Sequence, residues 1–292
     1  MKTIYFDHNI YIYSLSNEDL RLKLQTLSKE KYICIYSPAH IEEIFKASSE
    51  NESYEPREDL LSIISSVTSN KEAFPQSPPN KAVVIRTEKP SNCYHRVAEF
   101  DSTDRVRRDS IVRLKDDQMH YKPIMKKNKC YRNISNIPPD KIFDYDLVKS
   151  KIDELNHNIE AEINKYNLNL ENLILSLLGC SKKLPDDFCF EKNRYALMIH
   201  DHTQLEYTIE ILFRILNYCG YNAEKKEKTA ISGTHDVSHA IYATAADYFF
   251  TTDKHFALKC EAVYNYLGIK TRIIYCDVSN IIGKIEDIDN EQ

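Results

Sequence analysis

The sequence predicts an α/β fold built on a central parallel sheet, and three observations carry this prediction. Short runs of β-branched and aromatic residues, typical of buried strands, occur near both ends of the chain. Helical patterns alternate with these runs, and such alternation is typical of a parallel sheet. The length of 292 residues, with 42% hydrophobic and 28% charged residues, fits one large globular domain or two modest ones.

The N-terminal part predicts two strands, each followed by helix. The first strand is Thr3-Ile4-Tyr5-Phe6, which delivers Asp7 to its C-terminal end. Two helical stretches follow, and Asn17 is the expected cap of the second. After the second strand, Ser37-Pro38 begins a helix, because proline is tolerated in a first turn. The predicted elements are helices over 9–15 and 17–29, a strand over 32–36 and a helix over 39–47.

The C-terminal part returns to the same alternation. Its first helix is lined with alanines, which allow close packing on a sheet, and Gly268 is expected to end the second helix. The acidic tail from Glu286 onward is expected to be frayed. The predicted elements are a helix over 236–246, a strand over 248–251, a helix over 256–267 and a strand over 271–276.

The middle of the chain differs in character. Residues 68–92 contain four prolines among polar residues and are predicted to be a loop or linker. Helical periodicity returns over 145–179 and 194–218. We expect these helices to pack against the core, with a dimer interface or a substrate lid as alternatives.

A basic segment covers residues 105–132, with ten Lys and Arg residues against three Asp residues. Positive charge interspersed with tyrosines suits single-stranded RNA, whose bases stack on aromatic rings. A solvated loop is the alternative interpretation. The residues predicted to contact RNA are Arg105, Arg108, Lys126, Lys127 and Lys129.

The composition argues against several classes of protein. With 5 glycines and neither G-x-G-x-x-G nor G-x-x-x-x-G-K, the chain lacks the usual phosphate-binding loops. The net charge of −5 does not indicate a nucleic-acid-binding protein, although a local patch can still bind. Asp7 interrupts any signal-peptide core, and no run of about 18 apolar residues exists. The 8 cysteines form no C-x-x-C pair and are expected to be buried thiols, so we expect a cytoplasmic protein with no membrane association.

Acidic residues gather at the predicted carboxyl edge of the sheet, where ligand sites of parallel sheets lie. Asp7 and Asp253 follow strands, Glu42 or Glu43 lies on the helix after the second strand, and Asp236 begins a helix. Carboxylates at one edge repel one another, and a divalent cation with oxygen ligands resolves that repulsion. The alternative is that Asp7, Asp236 and Asp253 cap the helices that they begin.

The order of these blocks resembles the PIN-domain nucleases. That family opens with a strand followed by Asp-x-Asn, as in Asp7-His8-Asn9, although Thr or Ser is commoner than histidine at the middle position. It then carries an acid and an apolar residue on a helix, which Glu43-Ile44 fits better than Glu42. Its third block is Asp, a helix of small residues, an apolar strand and Thr-x-Asp or Thr-Asp, which residues 236–253 match.

The resemblance covers residues 1–66 and 194–292. It implies a PIN-like three-layer α/β/α core with a central parallel sheet, interrupted by a large, mainly helical insertion over residues 67–193. In the simplest members of the family the chain is about half as long, and histidines such as His235 and His239 do not flank the third-block acid.

The resemblance also implies a metal-dependent endoribonuclease that hydrolyses RNA phosphodiester bonds. Asp7, Glu43, Asp236 and Asp253 would hold one or two Mg²⁺ or Mn²⁺ ions, and no protein nucleophile is needed. Zinc is a weaker alternative because no H-E-x-x-H occurs. The expected supporting residues are Asn9, Thr252 or its neighbour Thr251, His235, His239 and Glu42.

Other roles stay open within and beyond this resemblance. The nuclease can be a toxin, a defence enzyme or an RNA-processing enzyme, acting on single-stranded or structured RNA, with a homodimer or an inhibitory protein as a possible partner. A catalytically silent PIN-like module that binds RNA or protein is the main alternative. A phosphohydrolase with an aspartyl nucleophile would require Asp-x-Asp, but Asn9 fills the second place.

Overall fold

The computed structural model describes residues 1–50, 56–76, 81–101, 134–154, 202–222 and 227–290. The described strands are β1 (Lys2–Phe6), β2 (Tyr32–Ile35), β3 (Lys71–Pro75), β4 (Val83–Thr87), β5 (Tyr248–Thr251) and β6 (Arg272–Tyr275). Four of them form a parallel sheet in the order β2-β1-β5-β6. The predicted α/β fold with a central parallel sheet is therefore confirmed.

Ten helices surround this sheet within the described ranges. They are α1 (His8–Ser16), α2 (Glu18–Glu30), α3 (Pro38–Glu50), α4 (Pro56–Thr68), α5 (Pro90–Asp101), α6 (146–154), α7 (His202–Cys219), α8 (Glu227–Tyr242), α9 (Lys254–Leu267) and α10 (Ile281–Asn290). Asn17 caps α2 as predicted, because its side chain accepts a hydrogen bond from the backbone N–H of Leu20 at 3.0 Å. Gly268 ends α9 with a left-handed backbone at φ 75°. None of the helices described here combines the length and apolarity needed to cross a membrane.

Alternation along the strands gives each face of the sheet its own core. Tyr5 and Phe249 point into one core, which α7, α8 and α9 cover, whereas Phe6 and Phe250 point into the other, which α1 to α5 and α10 cover. All four side chains are fully buried. The helices therefore lie on both faces, and the carboxyl ends of β1, β2 and β5 meet at one edge.

The prediction of a loop over residues 68–92 is wrong. Residues 71–75 and 83–87 pair as the antiparallel strands β3 and β4. This hairpin continues the main sheet, since the backbone of Tyr36 accepts from Ala73 at 2.6 Å and donates to Lys71 at 2.9 Å. The prolines suggested a loop, but Pro75 closes β3 and Pro90 opens α5, two end positions where a missing N–H is tolerated.

Two further predictions need correction, and two helices were missed. Helix α8 begins at Glu227, nine residues before the predicted start at Asp236, and it ends at Tyr242 in a 3-10 turn. Helix α10 continues to Asn290 with Ile285 and Ile288 fully buried, so the tail beyond Glu286 is helical rather than frayed. Helices α4 and α5 were not predicted.

The described residues of the predicted insertion lie against the core. Ile134, Ile142, Phe143 and Val148 are buried in the same cluster as side chains of α7 and α9. Of the helix predicted over 145–179, residues 146–154 are helical and residues 155–179 lie outside the described part. The division into a core and an insertion at 67–193 stays a prediction.

Candidate active site

Asp7 lies at the carboxyl edge of the sheet and does not cap a helix. Its backbone N–H still pairs with the carbonyl of Phe250 at 2.8 Å, which extends the contact between β1 and β5. Although Asp7 stands at the N-cap position of α1, its side chain makes no capping hydrogen bond. One carboxylate oxygen, Oδ2, instead accepts from the hydroxyl of Thr251 at 2.7 Å. The capping alternative is therefore wrong for Asp7.

The surroundings of Asp7 disfavour its charged form. Burial raises the pKa of Asp7 first of all, and the charge of Glu43 adds to this, whereas His239 and the Thr251 hydroxyl oppose it. The pKa of Asp7 remains raised overall. Asp7 is 95% buried and its side chain does not cap a helix, so a cation close to it would stabilise its charged form.

Glu43 on α3 is paired with His239 on α8. The Nε2 atom of His239 lies 2.6 Å from Oε1 of Glu43, and Nδ1 of the same ring lies 2.6 Å from the hydroxyl of Tyr5. The Tyr5 hydroxyl continues to Ser37 Oγ at 2.6 Å. These contacts link two helices through the buried centre of β1, so the ring of His239 has a fixed orientation.

The pKa values favour an ionised Glu43–His239 pair. Burial by itself raises the pKa of Glu43, but the charge of His8 and the hydrogen bond and charge of His239 outweigh it, and this pKa lies well below its usual range. Burial by itself lowers the pKa of His239, but Glu43, Asp7 and Asp236 reverse the effect and raise it. Glu43 is thus held as a carboxylate by a cation from the protein.

His40 is excluded as a ligand by its own hydrogen bonds. Its Nδ1 accepts from the backbone N–H of Ser37 at 3.1 Å, and its Nε2 donates to the carbonyl of Phe6 at 2.7 Å. This pattern requires the neutral ring with the proton on Nε2. Burial and the charges of His239 and His8 lower the pKa of His40 well below its usual value. His40 therefore supports the edge of β1.

His8 and His235 complete a group of histidines around Glu43. His8 is 96% buried, and its Nδ1 has no hydrogen-bond partner among the residues described. Burial lowers the pKa of His8 despite the charge of Glu43. His235 is also buried, and its charge helps to lower the pKa of Glu43. An unpaired imidazole nitrogen beside carboxylates is a possible ligand atom.

Asp236 and Asp253 occupy different kinds of position. Asp236 lies in the interior of α8, so the capping alternative is wrong there. Burial first, and then the charge of Asp7, raise the pKa of Asp236 well above its usual value, and Asp253 and Glu43 contribute to the rise. Asp253 does cap α9, because its Oδ1 accepts from the backbone N–H of Phe256 at 2.9 Å. The four predicted acids thus act on one another electrostatically.

The supporting residues agree only in part with the sequence prediction. Asn9 is exposed, and no contact of its side chain with Asp7 is found in the described ranges. The hydroxyl that contacts Asp7 belongs to Thr251, which is fully buried, and not to Thr252. No pattern in the sequence points to Tyr5, because a tyrosine in an apolar strand is typical of a core residue. The five residues predicted to contact RNA all lie outside the described part of the chain, between positions 102 and 133.

Glu43→Gln is expected to reduce activity by about 10²-fold, whereas Glu42→Gln is expected to change it little. Neighbouring helical residues point about 100° apart, so only one of them can face the sheet edge. The charge of Glu43 acts on Asp7, whereas that of Glu42 acts on Glu206 and Tyr242. Turnover of the two purified variants measures this difference, and equal losses would contradict the assignment of Glu43.

The side chains of the site do not converge on a single point. Across the described ranges, no group of three or more His, Cys, Asp or Glu side chains is positioned to hold a metal ion.

Comparison with known proteins leaves the family of this chain unassigned, because no family model, no curated protein and no solved structure matches it.

Proposed function

We propose that the protein is a metal-dependent endoribonuclease whose site is the carboxyl edge of the parallel sheet. One observation carries this proposal. Asp7 and Asp236 are acids from separate elements whose pKa values are raised first by burial and then by another carboxylate, which is Glu43 for Asp7 and Asp7 for Asp236. Titratable groups with such perturbed pKa values cluster at functional sites.

The donor atoms at this edge suit a divalent cation. Carboxylate oxygens are the preferred ligands of Mg²⁺ and Mn²⁺, and the unpaired Nδ1 of His8 adds a nitrogen that suits Mn²⁺ better than Mg²⁺. Bound there, such an ion would activate water and stabilise the charge that develops on the phosphate. We propose Asp7 and Asp236 as the main ligands, because neither carboxylate is used as a helix cap.

The remaining residues hold the two ligands in place. Thr251 fixes one oxygen of Asp7 through its 2.7 Å hydrogen bond. His239 contacts Oε1 of Glu43 at 2.6 Å and keeps Glu43 ionised, so we propose that the other oxygen, Oε2, is the one that acts in the site. Asp253 uses Oδ1 for its cap, which leaves Oδ2 for a metal-bound water. Each acid thus has a distinct role.

The choice of RNA as substrate rests on the resemblance to PIN-domain nucleases. The strand-Asp-x-Asn block, Glu43 and the Asp236 to Asp253 block occur in the family order. Their elements meet at one edge of a parallel sheet, as that resemblance implies. The catalytically silent alternative is favoured by a separate observation, namely that no ready-made group of ligands is found in the described ranges.

Cleavage of a mixed RNA pool in Mn²⁺ distinguishes the two candidates. We expect products with the wild type in Mn²⁺ and none in chelator. A suitable control is Asp287→Asn, which removes an exposed carboxylate of α10 that pairs with Lys284 at 3.0 Å. This variant should cleave like the wild type. RNA that is bound but never cut in Mn²⁺ would favour the silent module.

Neutralising Lys126, Lys127 and Lys129 together is expected to weaken RNA binding and to flatten its salt dependence. Each phosphate contact that is lost lowers the slope of log K against log salt by about 0.7 for single strands. The measurement is a salt titration of RNA affinity for the wild type and the triple variant. An unchanged slope would identify this segment as a solvated loop.

A further inference from the structure

A second group of polar side chains lies between α7 and α9. It contains Lys259 of α9, which is 97% buried. The ammonium of Lys259 donates to Oδ1 of Asn217 at 3.4 Å, a long hydrogen bond for a group with three N–H donors. A buried ammonium needs anionic or polar partners, and within the described ranges Lys259 makes this one hydrogen bond.

Asn222, in the turn after α7, supplies an unused donor to the same region. It is 95% buried, and its Nδ2 has no hydrogen-bond partner among the described residues. The other end of its amide, Oδ1, lies 3.2 Å from Nδ1 of His255, and its backbone N–H donates to Ser135 Oγ at 3.1 Å. The side chain is therefore held in place, while its NH₂ group has no partner in the part of the chain that the structure describes.

Helix α9 joins this cluster to the proposed active site. Asp253 caps the helix, His255 lies in its first turn, and Lys259 lies four residues further on, on the same face. His255 is exposed, so it marks the open side of the cluster. The positive charge of Lys259 also acts on Asp236. A group bound here would lie next to the acids that we propose as metal ligands.

We propose that Lys259, Asn222 and His255 form a subsite for a phosphate group, which positions RNA beside the acids. An ammonium, an amide NH₂ and an imidazole together offer hydrogen-bond donors and positive charge, which is the chemistry that recognises phosphate oxygens. This inference rests on the proposed nuclease function. If the subsite does not exist, Lys259 is only an internal counter-charge for Asp236.

Binding measured in chelator tests the subsite separately from catalysis. The probes are a ribotrinucleotide and inorganic phosphate, each titrated calorimetrically into the 292-residue protein. Asn222→Asp replaces the free donor with an acidic oxygen of nearly the same shape, and Asp tolerates the positive φ of 46° at this position. We expect it to weaken trinucleotide affinity by about tenfold to a hundredfold, as the loss of a hydrogen bond to a charged group predicts.

Lys259→Met is expected to weaken binding to a similar extent, whereas Lys270→Met, which removes an exposed lysine beyond the far end of α9, should leave it unchanged. Weakening with both probes assigns the subsite to phosphate in general, and weakening with the trinucleotide alone assigns it to the RNA backbone. Wild-type affinity in a folded Asn222→Asp protein overturns the proposal, even if Lys259→Met fails to fold. If the Asn222→Asp variant cleaves RNA and binds both probes like the wild type, the subsite is rejected and the nuclease proposal stands. If the wild type binds phosphate but does not cleave RNA, the nuclease proposal is rejected and the subsite stands.

Discussion

The Asp7→Asn variant is expected to lose RNA cleavage by about 10²–10³-fold or more in Mn²⁺ while keeping its fold. Asparagine has the shape of aspartate and can still accept the hydrogen bond from Thr251, so the contact between β1 and β5 should persist. It lacks the negative charge that we propose to bind the ion. The measurement is single-turnover cleavage of RNA by the purified variant.

Folding and activity must be separated in this experiment. Because burial raises the pKa of Asp7, its charge opposes folding, and removing the charge should not lower the melting temperature. Circular dichroism and thermal melts check this point, with Asp287→Asn as the surface control. Full turnover by a folded Asp7→Asn protein would reject the nuclease assignment.

Divalent metal is expected to stabilise the wild type, and Asp236→Asn is expected to reduce that gain while stabilising the metal-free protein. An ion that binds only the folded state adds about 2.7 kcal/mol to the free energy of unfolding at a hundredfold excess over Kd. Without metal, Asp236 is repelled by Asp7, Asp253 and Glu43. Removing its charge should raise the metal-free melting temperature by about 2–4 °C, which corresponds to roughly 1 kcal/mol.

The pH dependence of the metal-free protein should show the same repulsion. A carboxyl group whose pKa is raised by folding binds its proton more tightly in the folded state. The free energy of unfolding therefore falls as pH rises from the ordinary value of about 4 toward the folded pKa, and levels off above it. Asp236 should contribute such a fall, and Asp236→Asn should lack it.

Glu43 acts in the opposite direction and in a lower pH window. Its pKa is lowered by folding, so its contribution is present above its ordinary value and is lost as pH falls toward the folded pKa. Both the wild type and Asp236→Asn contain Glu43, so its contribution cancels when the free energy of unfolding of one is subtracted from that of the other. Identical melting of the wild type in chelator and in Mn²⁺ would mean that the acids form no metal site.

The parallel sheet could be predicted because its strands are short apolar runs between helical patterns. Strand β5 has the predicted bounds, β1 and β2 each differ from their predictions by one residue at one end, and β6 is one residue shorter at both ends. The hairpin β3–β4 could not be predicted in this way. Its prolines are typical of loops, and its attachment to Tyr36 depends on a contact across the fold.

The acids of the candidate site, and His239 and Thr251 beside them, could be found from the sequence, but the contacts that join them could not. Asp7 and Asp253 follow strands, and this local pattern is visible in the chain. The bond between His239 and Tyr5 joins residues 234 positions apart, so no local pattern reports it. The alanines after Asp236 predict a helix that begins there, whereas α8 begins nine residues earlier, at Glu227.

Anomalous diffraction from crystals grown in Mn²⁺ tests the central claim most directly. The account predicts a strong anomalous peak at the carboxyl edge of the sheet, within coordination distance of Asp7 and Asp236. Glu43 and Asp253 should contact the ion directly or through water. Ordered density for all four acids with no anomalous peak between them would contradict the account.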